Sequence, residues 1–293
     1  MGRRKKRTRR RIIFTEEKIA SRIHEGYGQG NGVGYKSWLK VGDFSSRGRC
    51  HRIRGTKTNR IFNLFSDLEQ HYFYHLEWLD NVEDIREQFP LFPVYETERI
   101  ASSMKYKHPQ NVGSHNSCVM TTDFLVTVKI GNETQLFARS VKYAKELADK
   151  RVLQKLSIEK EYWNRRGVPW QLVTEDSINI ERCKNIQDML KKYEYPLSGI
   201  LDEANTNGPI RRLIAEILVG QGTLSDITSE LDTYFELKSG SMLSLFRHLA
   251  ARKIIPVYLD NPFLPTNQIE SLVDIPLLKE KHLLEDRGYA FTS

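Results

Sequence analysis

An acid that opens an otherwise apolar strand constrains this chain more than any other feature. In the run Thr121-Thr122-Asp123-Phe124-Leu125-Val126-Thr127-Val128, β-branched and aromatic residues read as a buried strand. A carboxylate at its start is costly to bury unless it is paired or bound to a cation. A turn at Gly131-Asn132 and a second run, Gln135 to Val141, complete a hairpin. Antiparallel pairing brings Lys142 to the end of the hairpin that holds Asp123, 19 positions away in sequence. Upstream, Ser66-Asp67-Leu68-Glu69 has capping-box spacing, and Leu68, Tyr72, Leu76 and Leu79 continue at helical intervals. This predicts a helix over 67–79 with Glu69 in its first turn, either as a capping carboxylate or as a second acid beside Asp123. Two acids and a lysine on neighbouring elements are what a metal-dependent phosphodiesterase requires: the acids hold a divalent cation and the lysine stands near the attacked phosphate.

The remaining pattern supplies the scaffold. Thr15 caps a predicted helix over 16–25 with Ile19 and Ile23 on one face. The segment Gly26 to Gly34 carries five glycines in nine residues. It lacks the Gly-Lys-Ser/Thr ending of a P-loop and does not follow a strand, so it reads as a flexible loop, with phosphate or protein contact through its amides as the alternative. Asn81 to Phe92 reads as a turn and strand, and Pro90 and Pro93 place it at a sheet edge. Residues 101–118 read as a loop, 145–165 as a charged helix with Leu147, Leu153 and Leu156 inward, Pro169–Val173 as a strand and Ile178–Leu190 as a helix. Strands interleaved with helices give an α/β fold, a central mixed sheet flanked by helices. Pro196 to Pro209 reads as a domain boundary. Beyond it, helices over 209–219, after Thr223 and over 241–252, then a strand at Ile254–Leu259, suggest a small winged-helix-like module. The expected organisation is thus a basic arm over 1–14, a first domain over 15–195 and a second over 196–293.

Charge is unevenly spread. Residues 1–60 hold 18 Lys or Arg against 4 Asp or Glu, and the remainder holds 27 against 33. A locally basic arm points to a polyanion, nucleic acid before membrane. Arg47, Arg49, Arg52, Arg54, Lys57 and Arg60, near Tyr27, Tyr35 and Trp38, are candidate DNA contacts. Three scattered cysteines make neither a disulfide framework nor a zinc cluster and fit a reducing compartment. No apolar run is long enough to span a membrane, and none follows the basic start to make a signal peptide.

Several segments together resemble the TnsA family, the endonuclease subunits of heteromeric cut-and-paste transposases. They are Gln29 to Trp38, Ser66 to Glu69, Leu76-Glu77-Trp78, Asp84 to Leu91, Thr122 to Val126 and Trp163 to Trp170. The resemblance covers most of residues 15–190, and Asp84-Ile85-Arg86-Glu87-Gln88-Phe89-Pro90-Leu91 is its most specific part. It implies a restriction-endonuclease-like catalytic domain and a C-terminal winged-helix-like domain. It also implies Mg2+-dependent cleavage, with Mn2+ as a substitute, of the 5′ (non-transferred) strands at transposon ends. By the same resemblance, Glu69, Asp123 and Lys142 are the catalytic residues. Glu69, Asp123 and the backbone carbonyl of Val141 would share the metal with waters and substrate. The implied partners are transposon-end DNA, a TnsB-like transposase and a TnsC-like AAA+ regulator, in a bacterial cytoplasm at the nucleoid. One departure stands out: the family places Glu or Gln two residues before the lysine, and here that residue is Ser140. A hydroxyl is a weaker metal ligand, so a catalytically impaired DNA-binding assembly subunit is the alternative reading.

Overall fold

The computed structural model describes residues 13–43, 49–111, 113–196 and 208–285. The basic tail over 3–11 and Arg47 lie outside the described residues. The chain divides into two compact units between Ile178 and Asn179.

In the first unit, α1 (Glu16–His24) begins at Thr15, whose side chain accepts from Lys18 N. A hairpin of β1 (His51–Arg54) and β2 (Ile61–Leu64) follows, where the sequence had shown only a basic polar stretch. Next come α2 (Asp67–Trp78), β3 (Val82–Pro90), α3 (Val94–Ser103), β4 (Thr121–Ile130), β5 (Glu133–Val141), α4 (Lys150–Asn164) and β6 (Trp170–Val173). Helix α3 occupies part of the region expected to be loop. The sheet order is β3-β4-β5-β6, antiparallel up to β5 and parallel from β5 to β6. The change of sense follows from α4, a helical crossover that returns the chain to the same end of the sheet. One face of the sheet packs through Leu125 and Ala138 on Ile100 of α3 and on Ile158, Tyr162 and Trp163 of α4. The other face carries α2, where Phe124 meets Tyr72 with ring centroids 5.7 Å apart. The inward face of α4 is Leu156, Ile158, Glu159, Tyr162 and Trp163, whereas Leu153 is exposed.

The glycine-rich segment is a fitted connector. At Gly28, with φ +75°, a Cβ would lie 2.3 Å from Pro90 Cγ, so glycine alone lets the loop rest on the end of β3. Gly32 N donates to Asp84 Oδ2 at 3.2 Å, a protein contact through a backbone amide. The outer edge of β3 is closed by side chains. Arg60 Nη2 donates to Ile85 O at 2.5 Å and Tyr35 Oη donates to Glu87 O at 3.0 Å. Arg60 also pairs with Glu87 Oε2 at 2.6 Å and lies 3.7 Å from the centroid of the Phe62 ring. Arg60 is only 8% exposed and Glu87 fully buried, so Arg60 is a structural cation and not the DNA contact its position in a basic run suggested.

The second unit comprises α5 (Ile180–Leu190), α6 (Gly208–Val219), α7 (Leu224–Tyr234), α8 (Ser241–Ala251), α9 (Ile269–Leu272) and α10 (Ile275–Glu285). Helix α5 belongs here because Asn185 Nδ2 donates to Leu259 O and Asn261 O, both at 2.8 Å. The division therefore precedes the proline-marked boundary expected near residue 196. Asp232 accepts from Gly240 N and Met242 N and so starts α8. Ile254–Leu259 contributes one isolated bridge, Val257 to Val273, in place of a strand. Pro256 has no N–H to offer a ladder. Among the described residues this unit is helical with isolated bridges, and the wing of a winged helix is not seen.

Removing one partner of a buried ion pair strands the other charge, typically at a cost of about 3–5 kcal/mol. Arg60→Ala should therefore lower stability by that order in urea unfolding, with DNA affinity per folded molecule unchanged. A loss of affinity without a loss of stability would return Arg60 to the DNA surface.

Candidate active site

Two strand ends and two helices deliver the site. Ser66 caps α2, its Oγ accepting from Glu69 N at 3.0 Å. The Glu69 carboxylate turns back to accept from Phe65 N at 2.9 Å and Ser66 Oγ at 3.2 Å. Glu69 thus caps the helix and also faces Asp123 and Lys142, so its two readings describe one side chain. At the hairpin end, Asp123 Oδ2 accepts from Val141 N at 2.7 Å and from Lys142 Nζ at 2.8 Å. Lys142 Nζ also donates to Val141 O at 2.8 Å. The register that pairs Phe124 with Arg139 produces this meeting.

Ser140 does not stand alone. Its hydroxyl donates to Glu159 Oε1 of α4, and Thr122 Oγ1 donates to the same oxygen at 2.8 Å. Each hydroxyl is itself oriented by an indole: Trp170 Nε1 donates to Ser140 Oγ at 3.1 Å and Trp163 Nε1 to Thr122 Oγ1 at 2.6 Å. A third buried carboxyl therefore stands behind the position where the family pattern expects one. Sequence reasoning missed Glu159, although its spacing from Leu156, Tyr162 and Trp163 puts an acid on the apolar face of α4.

The electrostatics follow from crowding. Burial, then the charge of Asp123, pushes the Glu69 carboxyl up to about 8 against the pull of Lys142. Burial and Asp123 likewise push Glu159 up to about 7, opposed by the Ser140 and Thr122 hydroxyls. Burial alone would lower Lys142, but Asp123 and Glu69 hold its ammonium well above the ordinary lysine value. Such a centre is short of positive charge. The ammonium already bridges Asp123 Oδ2 and Val141 O, so these two oxygens accommodate a cation. Among the described residues no three His, Cys, Asp or Glu side chains form a ready metal cage. A divalent ion here would draw on Glu69, Asp123 and the Val141 carbonyl, with water and substrate oxygens completing its shell.

Of the other candidate residues, Arg52 and Arg54 alternate outward along β1 and Arg49 is exposed just before it. Lys57 N donates to Glu77 Oε2 at 3.3 Å, and its side chain is half-buried.

Comparison with known proteins identifies the family. Residues 79–175 match the family described as TnsA-like endonuclease N terminal, and residues 177–259 match TnsA endonuclease C terminal. The two matches meet beside the division between the compact units. The chain is also 40% identical over 243 residues to "Transposon Tn7 transposition protein TnsA" of Escherichia coli, covering 83% of this chain and 86% of that protein. Both halves of the sequence lead to one assignment: the chain belongs to the TnsA family of transposition endonucleases.

Proposed function

We propose that this chain is a Mg2+-dependent DNA endonuclease that cuts the 5′ (non-transferred) strands at transposon ends, working with a TnsB-like transposase and a TnsC-like AAA+ regulator. The observation that carries the chemistry is the contact of Lys142 Nζ with Asp123 Oδ2 at 2.8 Å inside a buried acidic cluster. A bound Mg2+ or Mn2+ would supply Lewis-acid polarisation of the phosphate and a water of lowered pKa. Glu69, Asp123 and the Val141 carbonyl are the groups to hold it, with Glu159 behind Ser140 as a further negative charge. Lys142, a point-like ammonium, stabilises charge that builds on the phosphate oxygens as a water oxygen attacks phosphorus and the 3′ oxygen leaves. The products are a 5′-phosphate and a 3′-hydroxyl. Arg49, Arg52 and Arg54 offer exposed cations to the DNA backbone. No helix among the described residues is long and apolar enough to cross a membrane.

The second reading, an assembly subunit with an impaired centre, has Ser140 in its favour. The carboxyl of Glu159 on that same hydroxyl weighs against it.

Strand-specific cleavage of labelled transposon-end DNA with the cognate partner proteins tests the proposal. Asp123→Asn and Lys142→Ala should each lose about 10²–10³-fold or more of 5′-strand cutting, while 3′-strand cutting and DNA binding survive. Unchanged 5′ cuts in Asp123→Asn would place the chemistry elsewhere.

A pH prediction follows from the raised carboxyls. A carboxyl whose folded value lies above its ordinary 4.5 carries no ionisation cost below 4.5, a cost that grows between 4.5 and the folded value, and a constant cost above it. Metal-free protein should therefore lose thermal stability between pH 5 and 8, and Glu159→Gln should lose less across its own window, about 4.5 to 7. Parallel unfolding curves for the two proteins across that range would contradict the assignment.

A further inference from the structure

We propose that Gln88 is a positioning residue of the nuclease centre: its side-chain amide ties the Glu69 carboxyl to the sheet in the orientation from which Glu69 takes up a divalent cation. This inference rests on the metal-dependent reading above.

In a regular strand, side chains two residues apart share a face. On β3 they do not. Glu87 accepts from Asn63 N of β2, the strand whose Phe62 packs on Phe73 of α2, while Phe89 packs on Trp163 of α4 at 5.8 Å between ring centroids. On β4 the same break occurs: Thr122 bonds to Glu159 and Trp163 of α4, and Phe124 packs on Tyr72 of α2. These residues are register partners, Glu87 with Phe124 and Phe89 with Thr122. Both strands therefore change face at one rung, and the residues at that rung are Gln88 and Asp123.

Gln88 absorbs the change with φ +49°, a left-handed backbone that glutamine adopts at a cost. Glycine meets such a backbone without strain. Here the side chain is used at both ends. It is 4% exposed, its Nε2 donates to Glu69 Oε2 at 3.4 Å and its Oε1 accepts from Thr121 Oγ1 at 3.2 Å. The other hydrogen bonds to the Glu69 carboxyl come from Phe65 and Ser66, at the start of its own helix. Gln88 is thus the link that sets the α2 carboxyl against the strand bearing Asp123.

The test uses the full-length, metal-free chain and Mn2+, with free ion followed by electron paramagnetic resonance. Gln88→Met keeps side-chain bulk but removes both amide contacts. Gln88→Gly removes them while relieving the backbone, so it guards against simple misfolding. Both should bind Mn2+ about tenfold or more weakly, with the thermal midpoint of Gln88→Gly close to wild type. Asp123→Asn is the reference. If Asp123→Asn loses Mn2+ while both Gln88 variants bind it as wild type does, the positioning role is overturned and the metal reading stands. If Asp123→Asn binds Mn2+ normally, the metal reading fails and takes this inference with it. Lowered thermal stability with unchanged Mn2+ affinity per folded molecule would mark Gln88 as structural only, which also overturns the proposal.

Discussion

Three carboxyls, Glu69, Asp123 and Glu159, are gathered around a single ammonium, and the rest of the first unit is built to tolerate that imbalance. Burying acids is costly, so each one here is supplied with donors whose own positions are fixed. Glu69 is served by the start of α2, Asp123 by the backbone of β5, and Glu159 by two hydroxyls that two tryptophans hold in place. The indoles are also part of the hydrophobic packing around α4, so core packing and carboxyl orientation are one requirement. The remaining deficit of positive charge is what would give a divalent cation a reason to bind.

Much of this was legible in the sequence because it obeys local rules. The capping box at Ser66, the hairpin turn at Gly131-Asn132 and the acid opening β4 each have short-range signatures, and together they bring Glu69, Asp123 and Lys142 to one place. Features that depend on tertiary packing were hidden. Glu159 looked like one charge among many on a charged helix, and only the face that α4 turns to the sheet shows it to be buried. Arg60 looked like its basic neighbours until β2 placed it beside Glu87. The face change at Gln88 leaves no trace in residue type, since glutamine is not a residue that announces a left-handed backbone. In the second unit, an apolar run at Ile254–Leu259 reads as a strand, but pairing needs donors in register and Pro256 interrupts them.

Ser140 stands where the resemblance leads one to expect Glu or Gln, and its hydroxyl is bonded to a buried carboxyl. That carboxyl belongs to Glu159 of α4, the helix that follows β5. Position by position the motif shows only a serine, whereas the three-dimensional arrangement shows a carboxyl hydrogen-bonded to it.

The closed edge of β3 has a consequence for assembly. Extended segments of partner proteins commonly attach by adding a strand to an open sheet margin, using main-chain carbonyls as the adhesive. At Ile85 and Glu87 those carbonyls are already taken by Arg60 and Tyr35. A partner arriving at this margin finds side chains, not backbone, and must recognise the protein by surface shape and charge. That makes recognition here a matter of side-chain identity on both sides, and guards this margin against indiscriminate strand exchange.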